Sequence, residues 1–262
     1  MKPYLGYLQR NDMMVIRVLL FLLCIILTPD FAKAAELKVG VIDIKPWGYK
    51  DSNSSPSGQH IDTLDELAER LGISFEYQIL PLARIKKLLE VGQIDMTIIF
   101  KRDNLKNIVD FIGMVKPYNY YLVGKRGQKF DDKKIKNLNN VGHIIGEADV
   151  VKKCFSDQYN SKARLYSTKS YGNLLKMLER NRIEAATIPS KGLKAYLDGI
   201  KADASLINRL FILCRNEAFL QISKKSPHYD QKLIETMRMT LKKMRADGTI
   251  ESIAAKYDEV KN

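Results

Sequence analysis

The sequence has few of the side chains that perform most catalysis near neutral pH. Its 262 residues include three histidines and three cysteines. His60 precedes a predicted helix, His143 lies in a predicted strand and His228 follows a proline in a turn. None of them stands at a spacing from a serine or a cysteine that indicates a nucleophile and its base, and no group of residues has metal-ligand spacing. We therefore expect no catalytic residues, no metal and no cofactor.

Long apolar runs are also missing. The run at residues 18–27 is too short for a membrane-spanning helix, which needs about 20 residues. Basic residues precede this run, and the small-residue stretch 32–35 follows it. This order is typical of a cleavable secretory signal. We expect residues 1–34 to be removed on export to the periplasm, with Met13 or Met14 as the alternative start.

Acidic residues are outnumbered by basic ones. The chain has 43 Lys and Arg against 30 Asp and Glu. Removal of residues 1–34 takes away four basic and two acidic residues, so the net charge falls from +13 to +11. A basic balance favours acidic ligands or anionic surfaces. The lysines are scattered rather than gathered into an arm, so we expect no binding to nucleic acid. We also expect the protein to be a monomer.

Two cysteines remain after the predicted cleavage, Cys154 and Cys214. A pair of cysteines in an oxidising compartment either forms a disulfide or stays as two buried thiols. A disulfide closing a loop of this length stabilises the folded state by about 4 kcal/mol in the chain-entropy treatment.

One strand–helix–strand pattern occurs twice, 89 positions apart. Residues 73–100 and 162–189 align without gaps. The identical pairs are Tyr77 and Tyr166, Lys87 and Lys176, Leu89 and Leu178, Glu90 and Glu179, Ile94 and Ile183, and Ile99 and Ile188. Parallel strands need a crossover connection, and a helix is the usual one. The repeat therefore predicts two α/β lobes rather than one.

Apolar periodicity and turn residues predict the remaining elements. Thr63 and Glu66 have the spacing of a capping box at the start of the first helix, and Gly72 ends it. The other predicted helices lie at residues 147–155, 191–197, 230–245 and 250–257. The other predicted strands lie at residues 37–42, 109–114, 120–124, 141–145, 210–214 and 218–223. Residues 125–140 are expected to form a surface connection.

Several of these segments resemble one protein family. The segments are LKVG at residue 37, an aromatic residue directly after Pro46, RLGI, GQIDMTI, VDF and the closing MTLKKMRADGTIESIAAKY. Over residues 36–258 the chain is similar to the family 3 extracellular solute-binding proteins, the polar amino acid binders of ABC transporters. The resemblance implies an α/β fold of the type II periplasmic-binding-protein class, with two lobes joined by two crossing strands and a ligand cleft between them.

The resemblance also implies domain bounds, a partner and a function. Lobe 1 is expected to contain residues 36–119 and 217–262, and lobe 2 residues 120–216, with hinges near 118–121 and 214–219. The expected function is to capture a small polar solute, amino acid-like or an organic anion, and to present it to an inner-membrane ABC permease. Two alternatives on the same scaffold are a periplasmic enzyme of the dehydratase type and a ligand sensor without transport.

Ligands of open α/β sheets bind beyond the carboxyl ends of the strands. This rule and the resemblance together predict the ligand-binding residues Trp47, Tyr49, Arg84, Phe100, Arg102, Glu147, Ser167 and Thr187. The resemblance assigns Trp47 to a stacking wall, although a tryptophan that plugs the rim of the lobe is the alternative. Arg84 or Arg102 would bind an anionic group through a planar guanidinium, unless both are solvent-exposed.

Two positions depart from the family pattern. Where the family has an arginine that binds the α-carboxylate, this chain has Leu105. Where the family has an acid for the α-ammonium, near the end of the strand at residues 183–188, this chain has Pro189. Glu147 or Asp149 is the candidate replacement for the acid. An ordinary α-amino acid is therefore not the expected ligand.

Overall fold

A computed structural model describes residues 36–125, 128–190, 193 and 211–257 of the chain. In these residues the strands are β1 Glu36–Ile42, β2 Tyr49–Lys50, β3 Pro56–Ser57, β4 Ser74–Leu80, β5 Met96–Phe100, β6 Val109–Val123, β7 Asn140–Ile144, β8 Arg164–Thr168, β9 Ala185–Pro189 and β10 Phe211–Ser223. The α-helices are α1 Gln59–Leu71, α2 Leu82–Val91, α3 Asp132–Lys136, α4 Ala148–Tyr159, α5 Tyr171–Glu179, α6 Gln231–Ala246 and α7 Thr249–Lys256. The predicted signal at 1–34 and, except for Leu193, the predicted helix at 191–197 lie outside the described residues. Among the described helices, none is long and apolar enough to cross a membrane.

Eight strands form one sheet in the order β4-β1-β5-β10-β6-β9-β7-β8. At one end β4, β1 and β5 are parallel and form lobe 1. At the other end β9, β7 and β8 are parallel and form lobe 2. The long strands β10 and β6 run antiparallel to each other between the lobes. This arrangement, two α/β lobes joined by two crossing strands, is the predicted architecture. The predicted lobe boundary between residues 119 and 120 lies inside β6, and the one between residues 216 and 217 lies inside β10.

The crossing strands are longer than predicted. Each was expected as two separate strands, but β6 spans 15 residues and β10 spans 13. The predicted gap in β6, at residues 115–119, contains Pro117, which lacks a backbone N–H. Pairing continues on both sides of Pro117, and a register shift between Ala218 and Phe219 lies opposite this region. A bulge of this kind lets a strand accept a proline without ending.

The two copies of the repeat adopt the same local structure. The elements β4-α2-β5 correspond to β8-α5-β9, and one further strand, β1 or β7, lies inside each pair. An added Cβ would lie 2.5 Å from Ile94 Cδ1 at Gly40 and 2.6 Å from Ile183 Cδ1 at Gly142. Ile94 and Ile183 are an identical pair of the repeat, so both lobes use the same close approach of an isoleucine to a glycine.

The capping-box prediction for the first helix is wrong. Helix α1 begins at Gln59, and the hydroxyl of Thr63 donates to the Gln59 carbonyl at 2.8 Å inside the helix. The backbone N–H groups of Gln59 and His60 donate to the carbonyls of Pro46 and Trp47, both at 2.9 Å. The preceding loop therefore satisfies the helix N-terminus five residues earlier than the capping box indicated, with Gly58 rather than Thr63 as the N-cap. Gly72 ends the helix in a left-handed conformation, as predicted.

The apolar core explains one departure from the family pattern. Its main cluster extends from lobe 1 through β6 and β10 to α4, and a second cluster lies under α5 in lobe 2. Leu105, at the expected place of the carboxylate-binding arginine, is 2% exposed and belongs to the main cluster. An apolar residue at this place contributes to the stability of lobe 1 and leaves no charge there for a ligand.

Cys154 of α4 and Cys214 of β10 are joined by a disulfide, with their Cα atoms 5.7 Å apart. The amide Nδ2 of Asn216 lies 3.2 Å from the Cys214 sulfur. The bridge fixes α4 of lobe 2 to a crossing strand. Helix α4 begins directly after Glu147 and contains Asp149. The bridge therefore also restricts the movement of these two acids.

Candidate functional site

A small cavity lies where the carboxyl ends of β1 and β5 face lobe 2. Its walls come from both lobes: Ile42, Trp47, His60, Leu82, Ile98, Ile99, Phe100, Arg102, Tyr118, Glu147 and Ala218. Its volume is about 20 Å³, which is room for about one water molecule. With the lobes in this arrangement the cavity has no room for a solute larger than one water molecule.

Aromatic rings form one wall of the cavity. Trp47 is 2% exposed, and its ring lies edge-on to Tyr118 at 5.7 Å and to Phe100 at 6.3 Å between centroids. The imidazole of His60 is stacked on it at 6.2 Å. Edge-on aromatic pairs hold each other in fixed orientations. Trp47 thus has the predicted place beside the cavity, in a packed cluster rather than on an open surface.

His60 is neutral in this site. Both ring nitrogens are buried and make no hydrogen bond within the described part of the chain, and burial lowers the pKa of His60 to about 3. Tyr118 beside it accepts a hydrogen bond from Gln59 Nε2 at 2.9 Å. Burial raises the pKa of Tyr118 to about 12. The aromatic wall therefore carries no charge at neutral pH.

The opposite side of the cavity is charged and joins the two lobes. The side chain of Arg102 is 1% exposed, and its Nη1 donates to Asp149 Oδ1 of α4. Lys86 of α2 donates to the carbonyl of Gly146 at 2.7 Å and lies 3.6 Å from Asp149 Oδ2. Burial, followed by the nearby Arg102 charge, lowers the pKa of Lys86. Arg102 and Lys86 of lobe 1 thus hold the turn between β7 and α4 of lobe 2.

Glu147 is the most deeply buried acid of the site, at 1% exposure. Burial raises its pKa to about 7, Asp149 adds to this rise, and Arg102, Tyr120 and Lys86 oppose it. Burial also raises the pKa of the Tyr120 and Tyr171 hydroxyls. At neutral pH the Glu147 carboxyl is therefore divided between its protonated and its ionised form.

A Glu147→Gln variant is expected to be more stable than the wild type at pH 8 and to lose this advantage at pH 5. Because the pKa is raised, the folded state binds the proton more tightly than the unfolded state between pH 4.5 and about 7. The stability from this group is complete below pH 4.5 and is lost as pH rises through 7, by about 3 kcal/mol. Urea denaturation at pH 5 and pH 8 measures it. An equal difference between variant and wild type at both pH values would contradict the assignment.

The structure brings four of the eight predicted residues together, Trp47, Phe100, Arg102 and Glu147. The other four lie away from the cavity. Tyr49 in β2 packs under the Lys45 ammonium at 4.9 Å, and the hydroxyl of Thr187 donates to the Gly142 carbonyl at 3.4 Å.

Arg84 and Ser167 are also outside the cavity. Leu82 lines the cavity and Lys86, four residues later, contacts the turn before α4. Residues four apart share a helix face, and Arg84 between them lies on another part of α2. Ser167 Oγ is 3.0 Å from His143 Nε2 at the end of β8. Its role there is a hydrogen bond within lobe 2.

Sequence reasoning missed His60, Leu82, Lys86, Tyr118 and Tyr120. For the tyrosines a signal exists, because residues two apart in a strand share a face and both precede the end of β6. For Lys86 the signal is its place four residues after Leu82. Nothing in the sequence singles out His60, because its burial depends on the loop that contains Trp47.

A larger groove of about 640 Å³ lies outside the cavity, open to solvent. Arg102 lines both the groove and the cavity, and its partner Asp149 lines the groove. The other charged residues of the groove are Lys101, Asp103, Lys152, Lys153, Arg215 and Glu217. Among the described residues no group of His, Cys, Asp and Glu is arranged to hold a metal ion.

Solved structures share this fold. A histidine kinase sensor domain with similarity to periplasmic binding proteins superposes with a TM-score of 0.68 at 15% identity, over 86% of this chain and 97% of its own. The ancestral amino acid-binding protein AncCDT-1, a precursor of cyclohexadienyl dehydratase, gives 0.66 at 20% identity, over 86% and 95%. The substrate-binding protein of an amino acid ABC transporter gives 0.66 at 17% identity, over 86% and 99%.

These likenesses confirm the type II periplasmic-binding-protein-like fold. No curated protein matches the chain in sequence. The sequence pattern of one family matches residues 37–259. This range contains nearly all of the residues that the structure describes. The chain belongs to the bacterial extracellular solute-binding proteins, family 3.

Proposed function

We propose that the protein is a periplasmic receptor for a small polar solute, which it holds between its two lobes and presents to an inner-membrane ABC permease. One observation carries this proposal. Trp47, Phe100 and Arg102 of lobe 1 and Glu147 of lobe 2 surround a single cavity at the seam between the lobes. A site whose walls come from two lobes is complete only when the lobes are closed, so binding and closure are coupled.

In this proposal the closed form of the protein is what the permease recognises. A solute that contacts both lobes stabilises the closed form by its differential affinity for the two forms. The hinges are expected at residues 118–121 of β6 and 214–219 of β10, the strands that cross between the lobes. The expected secretory signal at residues 1–34 and the extracellular family support a periplasmic location. The AncCDT-1 and transporter-associated structures, named as binders of amino acids or as part of an ABC transporter, support solute capture.

A thermal-shift screen of amino acids, polyamines, sugars and organic acids tests the proposal. A ligand that binds only the folded state raises the melting temperature by mass action. Trp47 is the only tryptophan of the chain, so its fluorescence reports entry of a hit into the cavity directly. A screen in which no solute raises the melting temperature or changes Trp47 emission would contradict the proposal.

Arg102→Ala is expected to weaken binding of an anionic hit by roughly 10- to 100-fold, because a hydrogen-bonded ion pair contributes about 1.5–3 kcal/mol. Arg238→Ala is the matched control. Arg238 likewise pairs with an acid, Glu235, and donates to the Ile112 carbonyl at 3.0 Å, but it lies on α6, away from the cavity. Titration calorimetry of both variants gives the two dissociation constants. Equal losses in both variants would remove Arg102 from the binding site.

Ligand sensing is a second candidate function, because one structure with a TM-score of 0.68 is the sensor domain of a histidine kinase. Sensing and transport need the same closing cleft, so the site does not separate them. A membrane-fraction pull-down with ligand-loaded protein does: recovery of a permease supports transport, and recovery of a kinase supports sensing.

The dehydratase-type enzyme has one observation in its favour, the buried carboxyl of Glu147 with a pKa near 7, a value suited to general acid catalysis. Recovery of each screened hit unchanged after prolonged incubation with the protein is the expected result for a receptor. Conversion of a hit that stops in Glu147→Gln would assign an enzyme instead.

A further inference from the structure

We infer that the free Nε–Nη2 edge of Arg102 is a carboxylate-binding subsite inside the cavity, and that the solute is a small monocarboxylate with an apolar body and no ammonium group. This inference rests on the proposed function and narrows its solute class. It places the anion at a residue other than the one the family uses, since that position is the buried Leu105.

The guanidinium of Arg102 has more donors than partners. Nη1 donates to Asp149, whereas Nε and Nη2 are buried and make no hydrogen bond to any residue that the structure describes. A buried donor without a partner is costly, and more so on a charged group. Nε and Nη2 form one edge of the planar fork, and this edge fits the two oxygens of a carboxylate. A ligand carboxylate at this edge does not compete for the Nη1 that Asp149 occupies. The cavity has room for about one water molecule, so it has to widen when the ligand enters.

Asp149 then seals the subsite rather than competing for it. It reaches Arg102 from lobe 2 and lines the open groove, so it lies on the groove side of the Arg102 guanidinium, which lines both the groove and the cavity. Lys86 supports Asp149 at 3.6 Å and holds the Gly146 carbonyl. An anion bound at the inner edge of Arg102 is thus shut off from water, which strengthens its bond to the guanidinium.

The rest of the cavity selects an apolar body. Beyond Arg102 and Glu147 the walls are the rings of Trp47, His60, Phe100 and Tyr118 with aliphatic side chains, including Ile98. His60 has no charge to offer an anion or a cation. Two separate polar groups on a ligand would leave one of them against these walls, and an unpaired polar group costs affinity.

The charges of the site favour a single negative charge and disfavour an ammonium group. The ionisable groups that face Glu147 are Arg102 after β5, Lys86 of α2, Tyr120 of β6, Tyr171 of α5 and Asp149 of α4. Arg102 and Lys86 carry two positive charges. Asp149 and one ligand carboxylate balance them when Glu147 is protonated. Binding is therefore expected to keep Glu147 protonated, and the affinity for the anion should fall as pH rises above 7.

Three probes with one carbon skeleton test the inference by titration calorimetry: 3-phenylpropanoate, 3-phenylpropanamide and L-phenylalanine. The acid is expected to bind at least 10-fold more tightly than the amide and than L-phenylalanine. From pH 7 to pH 8.5 the affinity for the acid should fall several-fold, whereas Glu147→Gln should bind it with a constant affinity. L-phenylalanine binding as tightly as the acid would overturn the solute class, and so would an amide equal to the acid.

Arg102→Gln should bring the acid and the amide to nearly equal affinity, and Arg102→Lys, which keeps the charge but loses the planar fork, should lie between. Arg238→Gln is the control, and melting curves establish that each variant is folded. An acid preference that survives in Arg102→Gln would overturn the subsite. If the acid fails to bind but another solute raises the melting temperature and changes Trp47 emission, the inference is wrong and the proposed function stands. If no solute does either, both are wrong.

Discussion

Acid should destabilise the folded protein through His60, and a His60→Leu variant should resist this. The pKa of His60 falls from 6.5 to about 3 because the ring is buried. A group with a depressed pKa takes up its proton more readily in the unfolded state, so the folded state loses stability as pH drops below 6.5. The shift corresponds to about 5 kcal/mol down to pH 3, of which about 3 kcal/mol falls between pH 6.5 and 4.5.

Three features of the site keep this imidazole neutral. Both ring nitrogens are buried and make no hydrogen bond within the described residues, so a charged ring would have two donors without acceptors. The ring lies in the first turn of α1, where the helix dipole opposes a positive charge. It also stacks on Trp47 in a cluster of rings, so apolar surface surrounds much of the imidazole.

Urea denaturation from pH 4.5 to pH 7.5 measures the effect. Gln59→Leu is the control, because it removes a neighbouring buried polar group that does not titrate and should lower stability equally at every pH. Glu147 acts in the opposite direction between pH 4.5 and 7, so the comparison is best made in a Glu147→Gln background. A His60→Leu variant that loses as much stability in acid as this background would contradict the role of His60.

The lobes could be predicted because they are encoded locally and twice. The periodicity of each copy of the repeat predicts a strand, a helix and a strand. In the structure, Gly40 and Gly142 each lie against the isoleucine at the equivalent position of their own copy. The crossing strands were harder to predict. Their continuity through Pro117 depends on pairing between residues about 100 positions apart, and local turn signals indicate a break.

The candidate site also contains residues that local sequence features predict and contacts that depend on the whole fold. Trp47, Phe100, Arg102 and Glu147 were predictable because they follow strand ends, where the sheet geometry places ligands. The same rule also gave Arg84, which does not line the cavity, because it is inside a helix whose orientation decides which side chain faces it. It could not give the pairing of Arg102 with Asp149, because that contact joins the two lobes and depends on how they pack against each other.

The disulfide is expected to contribute strongly to stability. Its removal in a Cys154→Ser, Cys214→Ser variant should lower the free energy of unfolding by about 4 kcal/mol. The two residues are 60 positions apart, so the bridge restricts a long loop of the unfolded chain. Urea denaturation of oxidised wild type and of the variant gives the difference. A reducing agent should lower the stability of the wild type by a similar amount and leave the variant unchanged.

The bridge should matter for the site as well as for stability, because it ties α4 to β10 close to the hinge. With the bridge gone, Glu147 and Asp149 lose one of the constraints on the start of α4, and contacts such as those of Arg102 and Lys86 remain. We therefore expect weaker solute binding in the double serine variant even at temperatures where it is fully folded. Titration of the denatured, unreduced protein exported to the periplasm should find neither Cys154 nor Cys214 as a free thiol. Two free thiols there would exclude the bridge, and an unchanged solute affinity in the variant would show that packing alone positions the two acids.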